Sequence, residues 1–218
     1  MTLRLVVLAS GRGSNLRSIA SAIDAKECDA TIEAVVSDKS DAPALLFAAE
    51  RNIPTRVVEL RSKSERSEWD ALLAKTVAEF TPDVGVLAGF MRIVGDAMLA
   101  RFPHRIVNVH PALLPSFKGA HAPADAIAAG ARISGCTVHI VDAGVDTGPT
   151  LAQAAVPVMP DDDAESLHKR IQKAEHRLLP HSLHLIATGA IVLGPVPRFS
   201  VSADEQRTLF SPDLPQTP

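Results

Sequence analysis

Cysteine is scarce in this 218-residue chain: there are two, Cys28 and Cys136, far apart in sequence. That excludes a disulfide scaffold and offers no zinc-type ligand cluster, leaving two reduced, buried thiols as the expectation. Excess charge of either sign is missing as well. A formal net charge of −3 gives no electrostatic reason to expect nucleic acid as the main partner. An anionic ligand must therefore be held by local groups. Long apolar runs are also absent. The run that opens at Leu3 spans seven residues, too short to cross a membrane, and no small-residue cleavage site follows it. A cytoplasmic protein is the expectation. No internal repeat appears, and no Gly/Ser or Pro linker divides the middle of the chain.

What is present is an ordinary globular composition, 46% apolar and 22% charged, on a length ample for one large core. Residues 3–9 (LRLVVLA) form a continuous apolar, β-branched run, as expected of a strand covered on both faces. After SGRGSN, the spacing of Leu16, Ile19, Ala20 and Ile23 predicts a helix over 16–25. Strands are expected at 31–38, 55–60, 83–89, 105–110, 135–142 and 150–158. Helices are expected at 43–51, from Ser64 with Trp69, Leu72, Leu73, Val77 and Phe80 on one face, near 124–129, and at 163–188 with an interruption or kink at Pro180. A closing strand pair is expected within 189–201. Strand–helix alternation argues for right-handed βαβ units, hence an α/β fold with a mostly parallel sheet. The proline-rich end, SPDLPQTP, reads as a flexible tail.

Three stretches carry chemistry. SGRGSN lies between the first strand and the first helix, where helix N-terminal amides point outward and favour an anion. Gly11 and Gly13 allow close backbone approach, and Ser14 and Asn15 offer donors and an N-cap. The third glycine of a dinucleotide fingerprint is replaced by Leu16, and no Lys-Ser/Thr pair is present, so a single phosphate fits better than a pyrophosphate. A plain capped turn is the competing reading. In IVNVH, Asn108 and His110 share a strand face with Ile106 while Val107 and Val109 face the other way. They stand where an open α/β sheet lines its crevice, as two donors for a developing oxyanion. Pro111 and Pro115 then stiffen the loop. VDAGVDTGP (141–149) supplies Asp142 and Asp146 on a glycine-rich loop that could set a carboxylate beside His110. Its spacing lacks a calcium loop's ligand series, so no metal is expected.

Taken together, SGRGSNL, VLAGFMRI, NVHPALLPSFKGAH, GCTVHIVDAGVDTGP and IQKAEHRLLP resemble the glycinamide ribonucleotide formyltransferase family, in its order and spacing, over all but the last twenty or so residues. The resemblance implies a Rossmann-like formyltransferase fold: a mostly parallel twisted sheet flanked by helices, with antiparallel additions in the C-terminal half. Residues 1–203 would be one domain, phosphate-binding in its N-terminal half and folate-binding and catalytic in its C-terminal half, with 204–218 as the tail. It implies transfer of a formyl group from 10-formyltetrahydrofolate, a co-substrate, to the amine of 5′-phosphoribosylglycinamide in purine synthesis. Asn108, His110 and Asp146 would be the catalytic trio. Gly13, Ser14, Asn15, Gln172 and Glu175 would hold the phosphoribosyl group. Arg66, Met91, Arg92, Ile93, Val94, Val141, Asp142 and Asp146 would border the folate. The partners are small molecules, without nucleic acid or membrane, in a monomer or homodimer. The chain departs from the family at Ala112, where Ser is usual, so a hydroxyl that could brace the loop is missing.

Three other readings compete. A formyltetrahydrofolate deformylase shares the trio and uses water as acceptor, but normally carries an N-terminal regulatory domain that a first strand at Leu3 leaves no room for. A methionyl-tRNA formyltransferase would need a C-terminal RNA-binding domain. A non-catalytic phosphate-ligand sensor would not need all three reactive residues.

Overall fold

The computed structural model describes residues 2–60, 62 and 65–200. The expected start of a helix at Ser64 and the 204–218 tail lie outside the described residues. Seven strands form one sheet: β1 (Leu3–Leu8), β2 (Ala30–Ser37), β3 (Thr55–Val57), β4 (Val84–Leu87), β5 (Ile106–His110), β6 (Ile133–Ile140) and β7 (Thr150–Pro157). Their spatial order is β3-β2-β1-β4-β5-β6-β7. From β3 to β5 all pairs are parallel. The β5–β6 and β6–β7 pairs are antiparallel. A small antiparallel pair, β8 (Ile191–Val192) with β9 (Arg198–Phe199), closes the described chain.

The period-2 pattern of the strands sorts their side chains to two cores. Leu5 and Val7 of β1 pack on one face of the sheet, with residues of α1 (Ser14–Asp24), α2 (Pro43–Glu50) and α6 (Ala164–Ala187). Val6 and Leu8 join the other core, with α3 (Arg66–Ala78) and α4 (Asp96–Arg101). All four side chains are fully buried. Each contributes about 1.5–3 kcal/mol by leaving water, which is why the run is apolar at every position. α5 (Ala122–Ala128) precedes β6. The chain moves outward from β1 to β3 and then returns to lay β4 on the other side of β1. That reversal makes the C-terminal ends of β1 and β4 the topological switch point, where such sheets have the crevice that binds ligands.

Four local features depart from the sequence reading. β3 is only three residues long, because the Val58 carbonyl accepts from the Trp69 indole at 2.8 Å instead of extending a ladder. Leu72 is half exposed rather than core. α4 was not expected; its N-terminal amides are capped from another helix, by Asp70, which accepts from Gly95, Ala97 and Met98 at 2.6, 2.8 and 3.2 Å. Of the expected interruption or kink at Pro180, α6 shows no interruption. The proline removes one N–H from the helix, yet fully buried Leu179 and Leu183 anchor both sides of it. The Asp163 and Thr188 boundaries hold, as N-cap and C-cap. Both cysteines are free and buried, and burial pushes their thiols up to about 11 for Cys28 and about 12 for Cys136. Among the described residues no helix is long and apolar enough to cross a membrane.

Candidate active site

The centre forms where β5 runs out against β6. Antiparallel pairing sets His139 opposite Asn108 and Thr137 opposite His110. The 141–149 loop then folds back tightly over this end. At Gly148 an added Cβ would lie 1.8 Å from the Ile140 carbonyl oxygen, so only glycine permits the approach. Asp146 takes a left-handed backbone, φ 52°, which Asp tolerates better than most residues. Its Oδ2 accepts from the Gly119 amide at 2.9 Å and lies 3.3 Å from His110 Nδ1. Its Oδ1 lies 3.6 Å from Nε2 of His139.

Proton positions follow from the partners. His110 Nε2–H donates to the Phe117 carbonyl at 2.8 Å, since a carbonyl can only accept. Nδ1 faces a carboxylate. Both ring nitrogens thus face oxygen atoms. His139 donates from Nδ1 to the Ile140 carbonyl at 3.0 Å. Its Nε2 stands between two groups: neutral, it accepts from Asn108 Nδ2 at 3.2 Å; protonated, it turns its charge on Asp146. The neighbouring His139 comes first among the causes that lower the Asp146 carboxyl to about 2. The Gly119 amide and the charge of His110 add to it, against the opposing effect of burial.

The loop after β5 is braced without a hydroxyl at Ala112. Buried Thr137 donates from its hydroxyl to the Ala112 carbonyl at 2.7 Å and accepts from the Leu114 amide at 3.0 Å. Gln153 ties the same loop down, donating to the Leu114 carbonyl at 2.9 Å and to Thr137 Oγ1 at 3.0 Å. The expected loss of bracing is met from β6 and β7.

At the glycine loop, α1 begins at Ser14 and its N-cap is Gly13, with no side-chain cap. The capping role expected of Ser14 or Asn15 is therefore not taken. Gly13 has φ +70°, and an added Cβ would sit 2.8 Å from Ala44 Cβ, so the glycine is required by packing on α2. Ser14 Oγ instead accepts from Gln172 Nε2 at 3.1 Å. Asn15 Nδ2 donates to Glu175 Oε2 at 3.1 Å, and Asn15 Oδ1 is buried without a partner. Burial raises the Glu175 carboxyl above its ordinary value, against the opposing pull of Asn15 and His168. No acidic side chain occupies the first turn of α1, which keeps its N-terminal amides compatible with an anion.

The third group flanks the crevice from β4. Met91 and Ile93 expose 73% and 58% of their surface, whereas Val94 is buried, so the segment presents apolar surface outward. Arg66 donates to the Ile93 carbonyl and lies 5.0 Å over the Trp69 ring. Arg92 Nε donates to Asp38 at 2.7 Å. Val141 is half-buried at the root of the 141–149 loop. Asp142 accepts from Gly144 N and Thr147 Oγ1 of that loop, at 3.1 and 2.7 Å, so it shapes the turn.

The structure thus joins Asn108, His110 and Asp146 at one point, and pairs Ser14 with Gln172 and Asn15 with Glu175. Sequence reading missed His139, Thr137, Asp38 and Asp70. For the first two a signal existed: a polar pair at i and i+2 inside an apolar strand, as at Asn108 and His110. Among the described residues no group of three or more His, Cys, Asp or Glu is placed to hold a metal ion.

Comparisons with known proteins agree on one family. The formyl transferase family model matches residues 3–183. The chain is 48% identical over 194 residues to a phosphoribosylglycinamide formyltransferase of Mycobacterium tuberculosis, covering 88% of each. It is 39% identical to part of the human trifunctional purine biosynthetic protein adenosine-3, matching 19% of that longer chain. Among solved structures, glycinamide ribonucleotide transformylase 1 of Symbiobacterium toebii superposes with TM-score 0.87 at 39% identity, covering 91% of this chain and 94% of that one. A formyltetrahydrofolate deformylase of Pseudomonas syringae superposes with TM-score 0.82 at 25% identity, covering 89% of this chain but 64% of its own.

Proposed function

The chain belongs to the formyl transferase family, and from that premise we propose that it transfers the formyl group of 10-formyltetrahydrofolate to the amine of 5′-phosphoribosylglycinamide, a step of purine synthesis. The observation that carries the reading is the Asp146 carboxylate, 3.3 Å from His110 Nδ1 and beside the Asn108 amide's partner His139.

The substrate amine attacks the formyl carbon, forming the new C–N bond and pushing an electron pair onto the formyl oxygen. Asn108 and the His110 imidazolium donate to that oxyanion. In the unliganded geometry His110 Nε2–H is engaged with the Phe117 carbonyl, so substrate takes over a bond that the loop now makes. Asp146 stabilises the imidazolium throughout. Through water it relays a proton from the new ammonium to the folate nitrogen as the old C–N bond breaks. His139, able to hold or release a proton beside both Asn108 and Asp146, tunes that relay. No step requires a metal ion.

Binding divides between the two sides of the crevice. Gly13, Ser14 and Asn15 present the anion end of α1 to the phosphate, with Gln172 and Glu175 toward the phosphoribosyl group. Arg66, Met91, Arg92, Ile93, Val94, Val141, Asp142 and Asp146 border the folate. The reading takes the protein as a monomer or homodimer in a cytoplasmic setting. The test is acceptor dependence: loss of formyl groups from 10-formyltetrahydrofolate, followed by folate absorbance, is expected only with the ribonucleotide amine present. Equal rates without it would replace this reading with the deformylase.

A further inference from the structure

Asp38 stands at the C-terminal end of β2, beside the crevice, and its side chain is completely buried. One oxygen accepts from Arg92 Nε at 2.7 Å; the other, Oδ1, is buried with no partner. A buried carboxylate satisfied at one oxygen is costly, and a neutral amide could accept the same hydrogen bond at far less cost. The charge is therefore spent on holding a cation. Arg92 is half exposed, and Asp38 is its one hydrogen-bonding partner among the described residues, so its terminal nitrogens stay open.

The segment that carries Arg92 is otherwise held by its backbone. Ser10 at the end of β1 accepts from the Met91 amide at 2.8 Å. Arg66 donates to the Ile93 carbonyl, and Asp70 accepts from the Gly95 amide. Phe90 stacks on Trp69 at 6.3 Å between centroids. Arg66, Trp69 and Asp70 stand at i, i+3 and i+4 on one face of α3, which forms a platform under the segment. Asp38 alone restrains a side chain that points out of that frame.

We propose that Asp38 is a positioning residue for the folate side of the site, fixing the Arg92 guanidinium through Nε so that its free nitrogens meet an anionic group of the bound folate. The proposal rests on the formyl-transfer reading and adds to it a residue that touches no reacting atom. Trp69 is the chain's one tryptophan, and its stacking on Phe90 makes its emission a reporter of this segment without turnover.

The experiment titrates tetrahydrofolate into wild type, Asp38→Asn and Arg92→Lys, following Trp69 fluorescence, with steady-state KM values for both substrates alongside. Loss of a charge-assisted bond is expected to weaken tetrahydrofolate binding and raise the folate KM about tenfold in Asp38→Asn. The ribonucleotide KM should stay within about twofold. Arg92→Lys keeps a cation beside buried Asp38 while removing the Nε donor. It should fold even where Asp38→Asn does not, and show the same folate-selective loss. Asp38→Asn combined with Arg92→Lys should bind folate no worse than the worse single variant. Unchanged folate binding in both Asp38→Asn and Arg92→Lys, or equal losses for the two substrates, would overturn the proposal. Wild type that binds no tetrahydrofolate would instead overturn the functional reading beneath it.

Discussion

The carboxylate of Asp146 lies 3.3 Å from Nδ1 of His110, although His110 ends β5 and Asp146 sits in the loop between β6 and β7. In the proposed mechanism one stabilises the charge that the other carries. His110→Ala and Asp146→Asn are each expected to fold and to lose about a hundredfold or more in kcat. The double variant should lose far less than the product of the two, because both act on one transition state. Fully multiplicative losses in stably folded variants would separate their roles.

Asp146 also links the site to acid stability. Its carboxyl is lowered from 3.8 to about 2 in the folded protein. The stability it contributes is therefore present above its unfolded value and lost as pH falls through the folded one. Wild type should exceed Asp146→Asn in urea-unfolding free energy at neutral pH, and the gap should close between 3.8 and about 2. A gap unchanged across that window would mean the carboxylate's charge contributes nothing to folding.

His139 tests the part of the site that sequence reading missed. Replacing it with Gln keeps a polar group near Asn108 but cannot carry charge toward Asp146. The expected result is a fall in kcat of about tenfold, at the low end of general acid–base effects, with both KM values within about twofold. A KM effect without a kcat effect would make His139 a binding residue.

Glu175 is the opposite electrostatic case. Its carboxyl is raised by burial, so its contribution to stability is full below its unfolded value and is lost as pH rises through the folded one. Glu175→Gln keeps an acceptor for Asn15 and should be more stable than wild type at neutral pH, with the difference vanishing in acid. The same variant should raise the ribonucleotide KM. Stability traded for binding is the signature of a functional carboxylate held in an apolar place.

The glycine loop, proposed to hold the phosphate, is best probed at Ser14 rather than Gly13. Any side chain at Gly13 meets Ala44 and would disturb the packing of α1 on α2. Ser14→Ala removes a hydroxyl that pairs with Gln172 and should raise the ribonucleotide KM several-fold, leaving the folate KM unchanged. A folate effect instead would assign the loop to the wrong substrate.

Much of the fold is a local matter, and so legible from the chain alone. Double-sided apolar strands such as Leu3–Leu8 and Val84–Leu87 announce a covered parallel sheet, because period-2 alternation disappears when both faces are buried. The i, i+2 placement of Asn108 and His110, and the glycines at 144 and 148, mark an unusual strand end and a tight loop by covalent geometry alone. Chain order decides none of the pairings across space. That His139 faces Asn108 depends on β6 running antiparallel to β5 in one register; a one-residue slip would turn it to the other face. That Thr137 replaces a missing loop hydroxyl, Asp70 caps a helix it does not belong to, and Asp38 grips Arg92 likewise depends on elements distant in sequence. A side chain's type and neighbours in sequence determine what it can do; only packing, which brings partners within hydrogen-bond range, decides with which group it does it.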